Sequence, residues 1–141
     1  MKKQIYVLFA IMSLVSLFIL NKNVLSEQNN DFEIISVSDA SNLIDKNKDI
    51  QDMVILDVRT DEEYKSGHIA NSVNIDYKSS DFKEQIEKLD KNKSYITYCR
   101  SGRRSTGASQ TMKKLGFQKI IMIQGGMTAW SEAGLPVSRG D

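Results

Sequence analysis

The chain has 141 residues, 26% of them charged and 40% hydrophobic, with one Cys, one Pro, one His and a formal net charge of +1. That length supports one domain with a real core rather than two, and so small a charge points to neither nucleic acid nor an acidic polymer as partner. A single Cys excludes an internal disulfide, so Cys99 is either a buried structural thiol or a reactive one.

The N-terminus has the pattern of an export signal. Lys2 and Lys3 precede an apolar run from Ile5 to Leu20, broken only by Ser13 and Ser16. The run is short for a bilayer span of about 20 residues and suits the core of a signal peptide. Val24 and Ser26 have sizes acceptable for cleavage after Ser26. Residues 1–26 are therefore expected to be a signal peptide or an uncleaved N-terminal membrane anchor, with residues 5–20 as the tether in the second case. Either reading places the domain outside the cytoplasm, in a periplasm or beyond a single membrane. Residues 27–32 form a polar linker to a domain at 33–138. The three lysines of residues 1–26 meet no acid there, so the remainder is mildly acidic, 16 basic against 18 acidic side chains.

Short apolar runs then alternate with stretches of helical period. Ile34 to Val37 reads as a strand, and Ser38 or Asp39 as the cap of a helix carrying Ala40, Leu43 and Ile44 on one face. Met53 to Leu56 is continuous apolar sequence, as in a strand buried on both faces. Thr60 to Lys65 reads as a short helix with Thr60 and Glu63 in capping-box spacing. Ser72 to Ile75 reads as a strand, Phe82, Ile86 and Leu89 mark a helix, and Tyr95 to Tyr98 is rich in β-formers. A helix starting near Arg103 or Arg104 buries Ala108, Met112 and Leu115 and stops at Gly116. Lys119 to Ile123 is a strand, Gly125-Gly126 a turn, and Met127 to Ala133 a last short helix. The alternation implies an α/β fold with a parallel sheet covered on both faces.

The chemistry concentrates between the Tyr95–Tyr98 strand and the helix after it, in Cys99-Arg100-Ser101-Gly102-Arg103-Arg104-Ser105. A strand end feeding a helix N-terminus is where open α/β sheets bind ligands, and the unpaired N–H groups there favour anions. Such a site lowers the pKa of a thiol. Gly102 permits the turn that aims successive N–H groups inward. The bland alternative is a small buried Cys among solvated arginines. Cations at a helix N-terminus oppose its dipole, however, and that local cost suits a site built for an anion.

The same heptapeptide resembles the active-site loop of single-domain rhodanese-like sulfurtransferases. Leu56-Asp57-Val58-Arg59, Glu63-Tyr64 and Gly67-His68-Ile69 with Ala70 and Asn74 resemble the family's upstream signature. Gly125-Gly126-Met127, Ala129-Trp130 and Gly134-Leu135-Pro136-Val137 resemble its C-terminal one. The match spans roughly residues 33 to 137. The resemblance implies a rhodanese-like fold, a central, mostly parallel five-stranded sheet flanked by helices. It implies that Cys99 takes a sulfane sulfur from a small sulfur-containing anion and passes it, as a persulfide, to a thiol or cyanide. Cys99 through Arg104 would form the cradle, with Arg100, Ser101, Gly102, Arg103 and Arg104 contacting the donor. Arg104 keeps a second reading, a structural ion pair with an acid such as Asp57. Asp57, Arg59, His68 and Ser105 are expected to support the site, and Trp130 to lie in the core. No metal or organic cofactor is implied, and one His leaves no His-rich metal site. Small size and no obvious extra apolar surface point to a monomer.

Two other functions are less favoured by the residues. Rhodanese-like domains serve as interaction or regulatory modules, typically after losing the Cys that this chain keeps. Phosphatases and arsenate reductases of related architecture use five residues between Cys and Arg. Here four separate Cys99 from Arg104, which suits sulfur better than a phosphate tetrahedron. The enzyme reading expects Cys99 to be accessible and acidic.

Overall fold

A computed structural model describes residues 32–140. The expected signal or anchor segment, residues 1–26, lies outside them. Among the described residues no helix is long and apolar enough to cross a membrane. The elements run β1 (Glu33–Ile35), α1 (Val37–Asn47), β2 (Met53–Asp57), α2 (Asp61–Ser66), β3 (Ser72–Asn74), α3 (Phe82–Glu87), β4 (Ser94–Tyr98), α4 (Arg103–Lys114), β5 (Lys119–Ile123) and α5 (Gly126–Glu132).

The five strands form one sheet in the order β1-β5-β4-β2-β3, and every pairing is parallel. Helical crossovers impose this, since parallel neighbours cannot be joined by tight hairpins. Strand β4 is central, flanked by β2 with Ile55 opposite Ile96 and by β5 with Ile96 opposite Ile121. Its side chains alternate between two cores. Tyr95 and Cys99 join Leu56, Val58, Ile86, Ala108, Met112 and Phe117 beneath α3 and α4. Ile96 and Tyr98 join Ala40, Ile55, Ile123, Met127 and Trp130 beneath α1 and α5. Full burial of each large aliphatic or aromatic side chain contributes about 1.5–3 kcal/mol at most. Trp130 is core, and its indole N–H donates to the Pro136 carbonyl at 2.9 Å.

Local chemistry moves some boundaries. Ser36, not Ser38 or Asp39, caps α1: its Oγ accepts from the Asp39 N–H at 3.1 Å, which ends β1 before Val37. The Thr60–Glu63 capping box forms as its spacing implies. Gly126 begins α5 rather than completing a turn, while Gly125 adopts the left-handed conformation that starts it.

Candidate functional site

Strand β4 delivers Cys99 to the C-terminal edge of the sheet, and α4 begins four residues later. Gly102, with φ +111°, makes the connection and precedes the first helical residue without a side-chain cap. This turn brings the Gly102 N–H to 3.1 Å from Cys99 Sγ, and the Ser105 hydroxyl approaches Sγ at 3.5 Å. Ser105 thus stands at the sulfur itself, closer to the chemistry than a supporting role implies. Burial pushes the Cys99 thiol up. The Ser105 hydroxyl and the N–H groups of Ser105, Gly102 and Ser101 more than offset this, and the net direction is down.

The expectation that Cys99 is accessible requires correction. The residue is only 1% exposed and Sγ lies at the floor of its loop. Burial on the α4 side of the sheet produces this, because the alternation along β4 points Cys99 into the same core as Tyr95.

The three loop arginines separate by environment. Arg100 and Arg103 are exposed, and neither forms an ion pair among the described residues. Arg104 is largely buried and donates to both Glu63 carboxylate oxygens, at 2.6 and 2.7 Å. Its acid is therefore Glu63 and not Asp57. The Arg104 hydrogen bonds hold the Glu63 carboxyl down at about 2, against burial, with the Thr60 N–H assisting. Asp57 instead pairs with Arg59: Arg59 Nη2 meets Oδ2 at 2.6 Å and Nε lies 3.0 Å from both oxygens. Arg59 Nη2 also donates to the Gly67 carbonyl at 2.6 Å, and the guanidinium sits 5.6 Å from the centre of the Tyr98 ring. This buried pair ties the end of β2 to the loop that leads into β3.

The contacts of His68 are with Tyr64 and Ser138. Its Nδ1 lies 3.0 Å from the Tyr64 carbonyl, its ring stacks on Tyr64 at 3.9 Å, and its backbone bridges to Ser138. Burial beside Asp57 pushes the Tyr98 phenol up, so it stays protonated; its oxygen accepts from the Ile69 N–H and lies 3.2 Å from Ser72 Oγ.

Sequence reasoning missed three contributors. Glu63 was expected as a capping residue and as part of the upstream signature, not as the partner of Arg104. Thr97 and Ser109 share a buried hydrogen bond at 2.9 Å that seats α4 on β4. The start of α5 holds the Cys loop from the far side: the Met127 N–H donates to the Cys99 carbonyl at 2.8 Å and the Thr128 N–H to that of Arg100 at 3.0 Å. Gly126 is required for this approach, since a Cβ there would collide with both loop carbonyls. No His, Cys, Asp and Glu cluster suited to a metal occurs among the described residues.

Residues 36–133 match the rhodanese-like domain family. The chain belongs to that family. YtwF of Bacillus subtilis (strain 168) is 39% identical over 98 residues, which cover 70% of this chain and 91% of that protein. The thiosulfate sulfurtransferase GlpE of Coxiella burnetii (strain RSA 331 / Henzerling II) is 34% identical over 80 residues, 57% of this chain and 73% of that one. Among solved structures, a rhodanese-related protein from Thermoplasma volcanium superposes with a TM-score of 0.63 at 34% identity, covering 76% of this chain and 98% of that one. By family the chain is a rhodanese-type sulfurtransferase.

Proposed function

We propose that the protein takes a sulfane sulfur from thiosulfate, polysulfide or another persulfide onto Cys99, and passes it to a thiophilic acceptor. The observation that carries this reading is the Cys99 sulfur set against the Gly102 N–H and the Ser105 hydroxyl, with its pKa lowered despite burial. The thiolate attacks the outer sulfur of thiosulfate. An Sγ–S bond forms, the donor's S–S bond breaks, and sulfite leaves with the electron pair. The donors that face the thiolate then face the persulfide anion. Arg100 and Arg103, exposed and unpaired with acids among the described residues, hold the anionic donor, while Arg104 holds the loop in place through Glu63. Cyanide or a thiol attacks the outer sulfur and returns Sγ as thiolate.

The protein works as a monomer outside the cytoplasm in this proposal, exported or tethered through residues 5–20. The charge and apolar pattern of the N-terminus supports that location. Cell fractionation of the expressed full chain, with N-terminal sequencing of the recovered protein, distinguishes a cleaved signal from an anchor.

The activity is tested by adding thiosulfate to the full chain and following cyanide-dependent thiocyanate beside a Cys99→Ser control, with intact mass on the same samples. Turnover with a Cys99-dependent gain of one sulfur is expected. The absence of both, with polysulfide failing too, would leave a binding module whose basic loop docks an anionic partner.

A further inference from the structure

Beside the Cys loop lies an open groove of about 340 Å³ between α2 and α5. Its lining includes Arg100 and the hydroxyl-bearing residues Ser66, Thr128 and Ser131, with Met127 beside them. Two backbone bonds fix the groove against the nucleophile, because the amides of Met127 and Thr128 hold the carbonyls of Cys99 and Arg100. The groove therefore moves with the loop and adjoins it one residue from the sulfur.

The groove is not shaped for the donor. Thiosulfate is a compact anion that the loop amides and arginines can meet directly, whereas 340 Å³ falls within the range of small-molecule sites, about 300–1,000 Å³. Its charge is specific as well. Glu63 and Arg59 also line it, but each is paired, Glu63 by two bonds from Arg104 and Arg59 with Asp57, so among the described residues the one unpaired charge of the lining is the Arg100 cation. An unpaired cation in a groove that also holds Ser66, Thr128 and Ser131 suits a molecule with a carboxylate and further hydrogen-bonding groups.

We propose that this groove is the acceptor site, that it takes a low-molecular-weight thiol bearing a carboxylate, and that Thr128 and Ser131 determine its specificity. The inference rests on the sulfurtransferase reading above. The carboxylate is held by Arg100 and the body of the acceptor by the two α5 hydroxyls, which leaves the thiol to reach the persulfide. There the acceptor sulfur bonds to the outer sulfur, the outer sulfur–Sγ bond breaks, and Sγ leaves as the thiolate. The acceptor's proton passes to the terminal sulfur of the new persulfide, so no external oxidant or reductant is needed.

The test uses the full chain with Thr128→Val, Ser131→Ala and Ser131→Glu variants. Both side chains are exposed, so neither change disturbs the core. Persulfide loading from thiosulfate, read by intact mass, is expected at the unaltered rate in all three. The KM for glutathione is expected to rise about fivefold for each lost hydroxyl and about tenfold or more for the introduced carboxylate. The KM for cysteamine, a thiol without a carboxylate, stays within twofold in Thr128→Val and Ser131→Ala. Normal loading with an unchanged glutathione KM overturns the groove assignment alone. A rise for cysteamine in Ser131→Glu equal to that for glutathione overturns the carboxylate preference. Failure of the unaltered chain to load from thiosulfate or polysulfide overturns the sulfurtransferase reading and the groove with it.

Discussion

Arg104 and Glu63, 41 residues apart, close a two-point ion pair that joins the first turn of α4 to the capping box of α2. Glu63 thus holds two structures at once, the start of its own helix through Thr60 and the helix that carries the nucleophile's loop. The guanidinium is spent on architecture, which leaves Arg100 and Arg103 to meet solvent-borne anions.

Glu63→Gln is expected to lower stability by about 1 kcal/mol, the scale of a partly exposed, well-aligned pair, and to loosen the loop. The folded-state carboxyl titrates near 2, below its ordinary 4.5, so its contribution is complete above pH 4.5 and disappears as pH falls toward 2. Urea midpoints measured across this window should fall in the unaltered protein and fall less in Glu63→Gln. Parallel curves for the two would remove the pair from the account.

Ser105→Ala removes the side-chain donor nearest Sγ. The Cys99 thiol then rises, and the midpoint of its alkylation by iodoacetamide moves to higher pH. Persulfide loading below that midpoint is expected to slow about tenfold, the worth of one hydrogen bond to a charged group at its lower end. An unmoved midpoint would show that the backbone amides alone set the thiolate.

Arg59→Met leaves the Asp57 carboxyl fully buried without its ion-pair partner, and frees the Gly67 carbonyl. A loss of about 3–5 kcal/mol is expected in chemical denaturation, with much of the protein insoluble. The double change Asp57→Leu with Arg59→Met should recover part of that loss, since it removes both buried charges. No recovery would mean that the Gly67 contact or the Tyr98 ring contact dominates.

Gly126→Ala places a methyl against the carbonyls of Cys99 and Arg100 at a backbone φ of +56°. Strain of about 1–3 kcal/mol is expected in stability. Turnover should fall further than that strain predicts, at least tenfold, because the loop itself must move aside. Equal losses in folding and turnover would place the strain in α5 instead.

The sheet and the reactive loop were legible because their signals are local. Met53 to Leu56, Tyr95 to Tyr98 and Lys119 to Ile123 are unbroken or β-rich runs, and each became a strand. Thr60 and Glu63 declare a helix start by spacing alone. Ser36 did not, because a residue next to three strand-like positions reads as a fourth until its hydroxyl is seen to accept from Asp39. The partners of Arg104 and Asp57 depend on tertiary approach: Glu63 and Arg104 are far apart in sequence, and several acids could have answered. The depth of Cys99 was equally hidden. Alternation along β4 assigns it a face, but only the packing of α4 over that face covers the sulfur.

That depth changes which atom the outside world meets. An empty domain presents arginines and backbone amides, with its sulfur shielded from bulky electrophiles and oxidants. In the proposed cycle a loaded domain would carry one atom more, borrowed from the donor. Under that proposal reactivity toward large labels would gauge cargo rather than the polypeptide, because the chain's single thiol is itself buried.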